Sequence, residues 1–154
     1  MNPSTPMEDD ELTLEFLKKE IEKDIPIKPS DLQAEIVNTP QLFSKYYNYL
    51  SKIKSLLKKE KFLLHKIINK RSEYYLGKGT FEDYQKEPFG LKVLKGELSR
   101  YLEADIYIFE QECKVDALED KKTYLEQVIS SHINFRTNSI KTMLEWQKFS
   151  QGVS

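Results

Sequence analysis

The sequence predicts an all-α fold built from long helices. Glycine and proline are scarce, at 5 and 6 of 154 residues, and turn-rich β folds use more of both. Neither residue occurs between positions 41 and 76, so one helix of about 36 residues is predicted there. Hydrophobic residues make up 39% and charged residues 32% of the chain, a composition typical of a thin core under a polar surface.

The first forty residues predict a tail followed by two short helices. Two prolines and an acidic cluster predict a disordered acidic tail over residues 1–10. Leu14, Leu17 and Ile21 recur at helical spacing and predict an amphipathic helix over residues 11–23. Because residues 24–30 contain two prolines, this helix is expected to end there, with a brief helix over residues 32–37 behind it.

The long helix is predicted to begin at Thr39 and Pro40, a capping hydroxyl followed by proline at the first helical position. Its apolar residues follow the alternating three-four spacing typical of a coiled coil. These residues are Tyr46, Leu50, Ile53, Leu57, Leu64 and Ile67. At a rise of about 1.5 Å per residue the helix exceeds the roughly 40 Å diameter of a compact domain of this size. A long partner helix or a second subunit is therefore expected to cover it.

The second half of the chain predicts a loop and two more helices. Gly77 and Gly79 end the long helix, and residues 81–90 predict a loop with at most one helical turn. An imperfect apolar stripe predicts a second long helix from Leu91 to about Ser131. A last helix over about residues 137–149 is expected to present one apolar set. That set is Ile140, Met143, Leu144 and Trp146.

Motifs typical of enzymes, metal sites and membrane spans are missing. The Gly77–Thr80 sequence lacks the earlier glycine and the residue order of a phosphate-binding loop, and His65 and His132 have no partner at metal-ligand spacing. No catalytic residue, cofactor or metal is therefore expected. The single Cys113, an acidic N-terminus and the lack of an apolar run near 18 residues together predict a cytoplasmic protein without a membrane span.

Charge is strongly segregated along the chain. Residues 41–78 carry a net charge of +8, whereas residues 1–40 carry −6 and residues 79–154 carry −3. Within the basic segment, lysines spaced by seven share one helix face, and two further basic residues extend it. These residues are Lys45, Lys52, Lys59, Lys66, Lys70 and Arg71. A coiled-coil flank is usually interspersed with glutamate, but only Glu60 lies in this stretch, so the segment favours a polyanionic partner.

Tyrosines flank the basic segment and suggest which polyanion it binds. Tyr74 and Tyr75 directly follow the basic pair, and proteins that bind single-stranded nucleic acids combine cations for phosphates with aromatic faces for unpaired bases. Both tyrosines therefore join the predicted DNA-binding residues. The alternative that the tyrosines pack in the core stays open and is expected of Tyr46. A coiled-coil adaptor protein with no nucleic-acid contact is the alternative function.

The segment Lys70–Gly79, Lys-Arg-Ser-Glu-Tyr-Tyr-Leu-Gly-Lys-Gly, resembles the UvsY recombination mediator family of T-even-type phages. The similarity runs from about Leu17 to Gly152. It includes Leu-Lys-Lys-Glu-Ile-Glu-Lys-Asp over residues 17–24, Leu-Phe-Ser-Lys-Tyr over residues 42–46, and Ile-Lys-Thr-Met over residues 140–143. Residues 1–16 lie outside the resemblance.

The resemblance implies a non-catalytic recombination mediator that binds single-stranded DNA in the host-cell cytoplasm. Such proteins load a RecA-like recombinase onto strands covered by single-strand-binding protein, and they assemble as rings of six or seven subunits. The family binds DNA through a Lys-x-Arg pair just before Asp-Tyr-Tyr. Arg71 matches the arginine, Asn69 stands at the lysine position, and Lys70 is the candidate substitute.

The resemblance also assigns oligomerisation to the C-terminal helix, and thus to the apolar set at Ile140, Met143, Leu144 and Trp146. The predicted organisation is then an acidic tail over residues 1–10, a helical single-stranded-DNA-binding domain over residues 11–134, and an oligomerisation helix over residues 135–154.

Overall fold

A computed structural model describes residues 12–91 and 93–152 of the chain, and within these ranges every regular element is helical. The α-helices are α1 (Leu14–Asp24), α2 (Leu32–Tyr75), α3 (Phe81–Lys86), α4 (Leu98–Glu103), α5 (Ile106–Val128) and α6 (Asn134–Ser150). Short 3-10 turns lie at Pro29–Asp31 and Lys95–Glu97. The predicted all-α fold is confirmed, and the predicted tail over residues 1–10 falls outside the described residues.

The helix α2 is longer than predicted, because it absorbs the brief helix expected before Thr39. Asp31 Oδ1 accepts a hydrogen bond from the Ala34 amide at the start of α2, and the helix then continues for 44 residues with Pro40 inside it. Thr39 does not cap a helix; its hydroxyl donates to the Glu35 carbonyl oxygen at 2.9 Å. Leu32, Glu35 and Thr39 are all buried on one side, and this packing holds the helix together across the proline.

The chain after α2 is more broken than the sequence predicted. Residues 81–86 form a helix, since Thr80 and Asp83 make a capping box at its start. The helix predicted from Leu91 instead begins as irregular chain and is interrupted at Ala104 and Asp105. Further on, the break expected before the last helix is absent, because a π-helical turn at Ile129–Ile133 joins α5 directly to α6.

The chain divides into two compact units. The first contains α1, the part of α2 up to Ile53, and the chain from Asp120 onward. Its core includes Leu17, Ile21, Tyr46 and Ile53, and of the predicted coiled-coil seam, Leu50 is also buried here. Ion pairs connect its helices: Lys45 with Glu20 and Asp24, and the buried Arg136 with Glu35.

The second unit runs from Lys54 to Glu119 and contains the rest of α2, α3, α4 and the start of α5. Leu57 of the seam is buried, whereas Leu64 and Ile67 are half-buried. Gly77 has a φ of +75°, the left-handed conformation that lets the chain turn sharply after α2. The core of this unit is an aromatic cluster around the end of α2, which contains Tyr74 and Tyr75 and lies against Arg71.

Within the described ranges, no helix has both the length and the apolar composition to cross a membrane. The same residues contain no group of three or more histidine, cysteine, aspartate or glutamate side chains that could hold a metal ion.

Candidate nucleic-acid interface

The part of α2 in the second unit presents a basic outer face. Lys58, Lys59 and Lys66 are exposed there, at positions that share one side of a helix. The side chains of Lys58 and Lys59 form neither hydrogen bonds nor ion pairs with any residue that the structure describes. Their ammonium groups are therefore available to an anion from solution.

The one carboxylate of α2 in this stretch is directed away from the lysines. Gln111 of α5 donates its side-chain amide to the Glu60 carboxylate and also to the Glu60 backbone carbonyl oxygen at 3.1 Å. Because Glu60 is engaged with α5, α2 contributes no carboxylate of its own to the basic face. We name the exposed set Lys58, Lys59, Phe62 and Lys66 the basic face of the second unit.

Phe62 lies within this basic face, and the sequence pattern did not single it out. Its side chain is 62% exposed, and the ammonium nitrogen of Lys66 lies 4.8 Å from the centroid of its ring. The available signal was positional: Phe62 falls outside the three-four seam and sits three residues after Lys59 and four before Lys66. The tyrosines at the ends of the basic segment gave a stronger sequence pattern than this single phenylalanine inside it.

The two other lysines of the predicted row lie in the first unit and differ from each other. Lys52 is exposed and has no side-chain partner among the described residues. Lys45 is half-buried, and its ammonium contacts Glu20 and also Asp24 Oδ2, the latter at 2.7 Å. Burial acts to raise the pKa of Asp24, but hydrogen bonds from Lys45 and Tyr46 outweigh it and lower that pKa. Lys45 thus joins α1 to α2.

Arg71 is not the exposed cation that the sequence suggested, because only 12% of its side chain is accessible. Its Nε donates to Asp105, while Nη1 and Nη2 donate to the two Glu87 carboxylate oxygens at 3.0 and 3.1 Å. Burial acts to lower the pKa of Arg71, but the hydrogen bonds to Glu87 and Asp105 dominate and raise it. The guanidinium also lies over the Tyr74 and Tyr107 rings, 4.3 and 4.9 Å from their centroids.

Asp105 connects Arg71 at the end of α2 to the start of α5. One carboxylate oxygen accepts from the amides of Tyr107 and Ile108, at 3.0 and 3.2 Å, and so caps the start of α5. The other oxygen accepts from Arg71 and from the Tyr75 hydroxyl, the latter at 2.7 Å. Since Asp105 is buried, this network fixes the end of α2 against the start of α5.

Tyr74 and Tyr75 are buried, so neither ring faces solvent in this structure. Tyr74, at 2% exposure, stacks on Tyr84 with ring centroids 5.2 Å apart, and Tyr75 packs edge-on against Phe89 at 5.3 Å. Burial is also the main cause that raises the pKa of both tyrosines. This arrangement agrees with the core packing left open for these tyrosines, and a base-stacking role for them stays a prediction.

Lys70 is exposed at the edge of the same region and is partly neutralised. Its ammonium lies 3.0 Å from Asp83 Oδ1. The Thr80 hydroxyl, followed by Lys70, lowers the pKa of Asp83 to about 2, so Asp83 is ionised at neutral pH. An open cleft of about 480 Å³ lies beside this pair and is lined in part by Leu63, Ile67 and Lys114. Lys70 is thus accessible, with a carboxylate already beside it.

Comparison with known proteins identifies the relatives of this chain. The family model described as "Recombination, repair and ssDNA binding protein UvsY" matches residues 20–153. The chain belongs to the UvsY family. This is a family of recombination and repair proteins that bind single-stranded DNA and are not enzymes, so the predicted resemblance is confirmed.

One curated relative and two crystal structures agree with this assignment. "Recombination protein uvsY" of Enterobacteria phage T4 is 30% identical over 94 residues, which cover 61% of this chain and 66%, just under two thirds, of the relative. Crystal structures of the bacteriophage T4 recombination mediator protein UvsY in lattice types II and I superpose with TM-scores of 0.79 and 0.78. Both are 24% identical to this chain. The superposition covers 91% of this chain for lattice type II and 88% for lattice type I, and 98% of the solved chain in each case, so the fold is shared.

The predicted oligomerisation residues of this UvsY family member are not equally accessible on α6. Ile140 is fully buried and Leu144 is half-buried within the first unit. Met143 and Trp146 are exposed, and Trp146 stacks on Phe149 with ring centroids 6.0 Å apart. Phe149, which the predicted set did not include, extends this exposed apolar surface, while Ile140 packs inside the subunit.

Proposed function

We propose that this UvsY family protein is a recombination mediator that holds single-stranded DNA through the exposed lysines of α2. The observation that carries the proposal is the basic face of the second unit. Lys58 and Lys59 are exposed without an ionic partner among the described residues, and the nearest carboxylate of the helix, Glu60, is bound by Gln111. Within this proposal the exposed Lys70 adds a further phosphate contact in the same unit, and the exposed Lys52 offers a separate phosphate contact in the first unit.

The proposed binding is electrostatic and independent of base sequence. Lysines that neutralise phosphates release condensed counterions, which favours binding and makes it salt-dependent. Phosphate contacts fix the position of a strand but carry no sequence information. A mediator must act on strands of any sequence, and an exposed lysine face suits this requirement better than a hydrogen-bonding pocket.

The remaining predicted residues take supporting roles in this proposal. Arg71 and Tyr75 hold the end of α2 against the start of α5 through Asp105, and Tyr74 packs on Tyr84 of α3, so all three support the helix that carries the lysines. Lys45 supports the same helix in the first unit through its ion pairs with α1. The family's arginine thus contributes to DNA binding by position, and its own charge is satisfied by Asp105 and Glu87.

The proposal includes assembly into a ring of six or seven subunits in the host-cell cytoplasm. The exposed Met143, Trp146 and Phe149 supply an apolar surface on α6 that a neighbouring subunit would cover. In a ring, weak sites on several subunits act together on one strand, because binding at one raises the effective concentration at the next. A strand held in this way would be presented to a RecA-like recombinase in exchange for single-strand-binding protein.

Fluorescence anisotropy with a labelled single-stranded oligonucleotide tests this proposal. Wild type should bind more weakly as salt rises, and Lys59→Ala with Lys66→Ala should bind more weakly still. The log–log salt slope should become shallower, by about 0.7 for each phosphate that the variant no longer neutralises. The control removes two exposed charges elsewhere in the same unit, Lys95→Ala with Arg100→Ala, and should bind like wild type.

Two results would contradict the proposal. A wild type that binds no oligonucleotide at low salt would favour the coiled-coil adaptor. Equal reductions in affinity for the two double variants would mean that total charge matters and that the basic face has no special role.

A further inference from the structure

Phe62 is a large apolar side chain on the surface of α2, where it contributes little to the core. It lies outside the buried seam of α2, and its ring is 62% exposed among lysines. Lys66 places its ammonium over the ring, 4.8 Å from the centroid, so the ring sits beside a cation at a defined distance. An exposed aromatic ring next to cations is the arrangement with which proteins hold an unpaired base and its phosphate together.

We propose that Phe62 is a base-stacking residue of the single-strand site, resting on the proposed function of the basic face. A base would stack on the ring while Lys59 and Lys66, about one helical turn before and after it, contact the flanking phosphates. The charge around the ring selects the occupant. Lys58 and Lys59 have no carboxylate partner among the described residues, so a polyanion is favoured over an apolar surface of another protein.

Phe62, and not the tyrosine pair next to Arg71, is then the aromatic part of the proposed site. The tyrosines next to Arg71 are buried in the core cluster, with Tyr74 only 2% exposed, whereas Phe62 is open to solvent. Stacking and phosphate contacts then come from one stretch of α2, spanning two helical turns. Stacking is tolerant of sequence, since every base has an aromatic face, so Phe62 adds affinity without adding sequence preference.

The test separates the contribution of the bases to binding affinity from the contribution of the phosphates. Phe62→Leu keeps an apolar side chain and removes the ring, and Phe62→Trp keeps a stacking surface. Each is titrated with labelled oligodeoxythymidylate and with an abasic oligonucleotide of the same phosphate number. We expect Phe62→Leu to weaken binding of oligodeoxythymidylate at least about fivefold, with an unchanged salt slope, because stacking releases no counterions. Phe62→Trp should retain binding, and on the abasic strand the wild type and Phe62→Leu should bind equally.

The matched control is Phe81→Leu, which removes a similarly exposed ring from the same unit, at the first residue of α3. It should leave both affinities unchanged. The inference is overturned if Phe62→Leu binds the two strands like wild type, or if its affinity falls equally for both. It is also overturned if Phe62→Leu changes the sedimentation coefficient, which would assign the ring to a subunit contact. If wild type binds neither strand, the proposed function itself fails. That outcome is distinct from one in which wild type and Phe62→Leu bind DNA equally well, which overturns only the role of Phe62.

Discussion

The basic face and Arg71 differ in how their charges are used: the side chains of Lys58 and Lys59 are exposed, whereas the guanidinium of Arg71 is paired with Asp105 and Glu87. Spacing located the lysines of α2 and the turn at Gly77, because both depend on neighbours within a few positions. Spacing could not show that Arg71 is half-buried and paired, since its partners Glu87 and Asp105 come from later parts of the chain. A basic residue beside tyrosines looks the same in a sequence whether its charge faces solvent or a carboxylate.

We therefore expect Arg71 to contribute mainly to the stability of the fold. Replacing it by alanine leaves the buried Asp105 carboxylate without its cation and exposes the aromatic cluster, so Arg71→Ala should lower the free energy of unfolding by about 3–5 kcal/mol. Lys70→Ala, which removes an exposed partner of Asp83, should lower it much less, because an exposed ion pair contributes little to stability. Urea unfolding followed by circular dichroism measures both.

A contrary result would be equal stability for these two neighbouring variants. The charge of Arg71 would then be available to DNA, as the family resemblance suggests, and the network with Asp105 would contribute little.

Helices as whole elements were predictable in type and less so in their bounds. Apolar periodicity gave α1, the burial of Leu50, Ile53 and Leu57 on α2, and the last helix. The predicted start of the long helix at Pro40 was wrong. Proline is common at the first position of a helix, but the buried residues around Pro40 favour one continuous helix from Leu32. The π-helical turn after Val128 has no local sequence signal of the Gly or Pro kind and joins α5 to α6 without a loop.

The exposed surface of α6 should decide the assembly state. Trp146→Asp places a charge on the exposed apolar surface, so it should leave the subunit folded while weakening each subunit contact by several kcal/mol. Sedimentation velocity should then show smaller species than wild type. Lys148→Asp introduces the same side chain at another exposed position of α6 and should sediment like wild type. An unchanged sedimentation coefficient for Trp146→Asp would remove this surface from the subunit interface.

At the scale of the whole molecule, the sequence was most informative through its charge distribution. A net charge of −1 conceals a segment of +8 over residues 41–78, and the structure places exposed lysines of that segment on one helix. The two compact units were not predictable, because they are defined by contacts between residues far apart in the sequence, such as Arg136 with Glu35 in the first unit and Arg71 with Asp105 in the second. The charge distribution agrees with the family match, since proteins of this family bind single-stranded DNA, which is a polyanion.

The loading of a recombinase tests the role of the basic face most directly. The DNA-dependent ATPase of a RecA-like recombinase is measured on single strands already covered by single-strand-binding protein. Wild type should shorten the lag before ATP hydrolysis begins, and the control variant Lys95→Ala with Arg100→Ala should shorten it equally. Lys59→Ala with Lys66→Ala should shorten the lag clearly less than either, because it retains fewer phosphate contacts. If the Lys59 and Lys66 variant shortens the lag as well as wild type does, the basic face of α2 is not where this protein holds DNA.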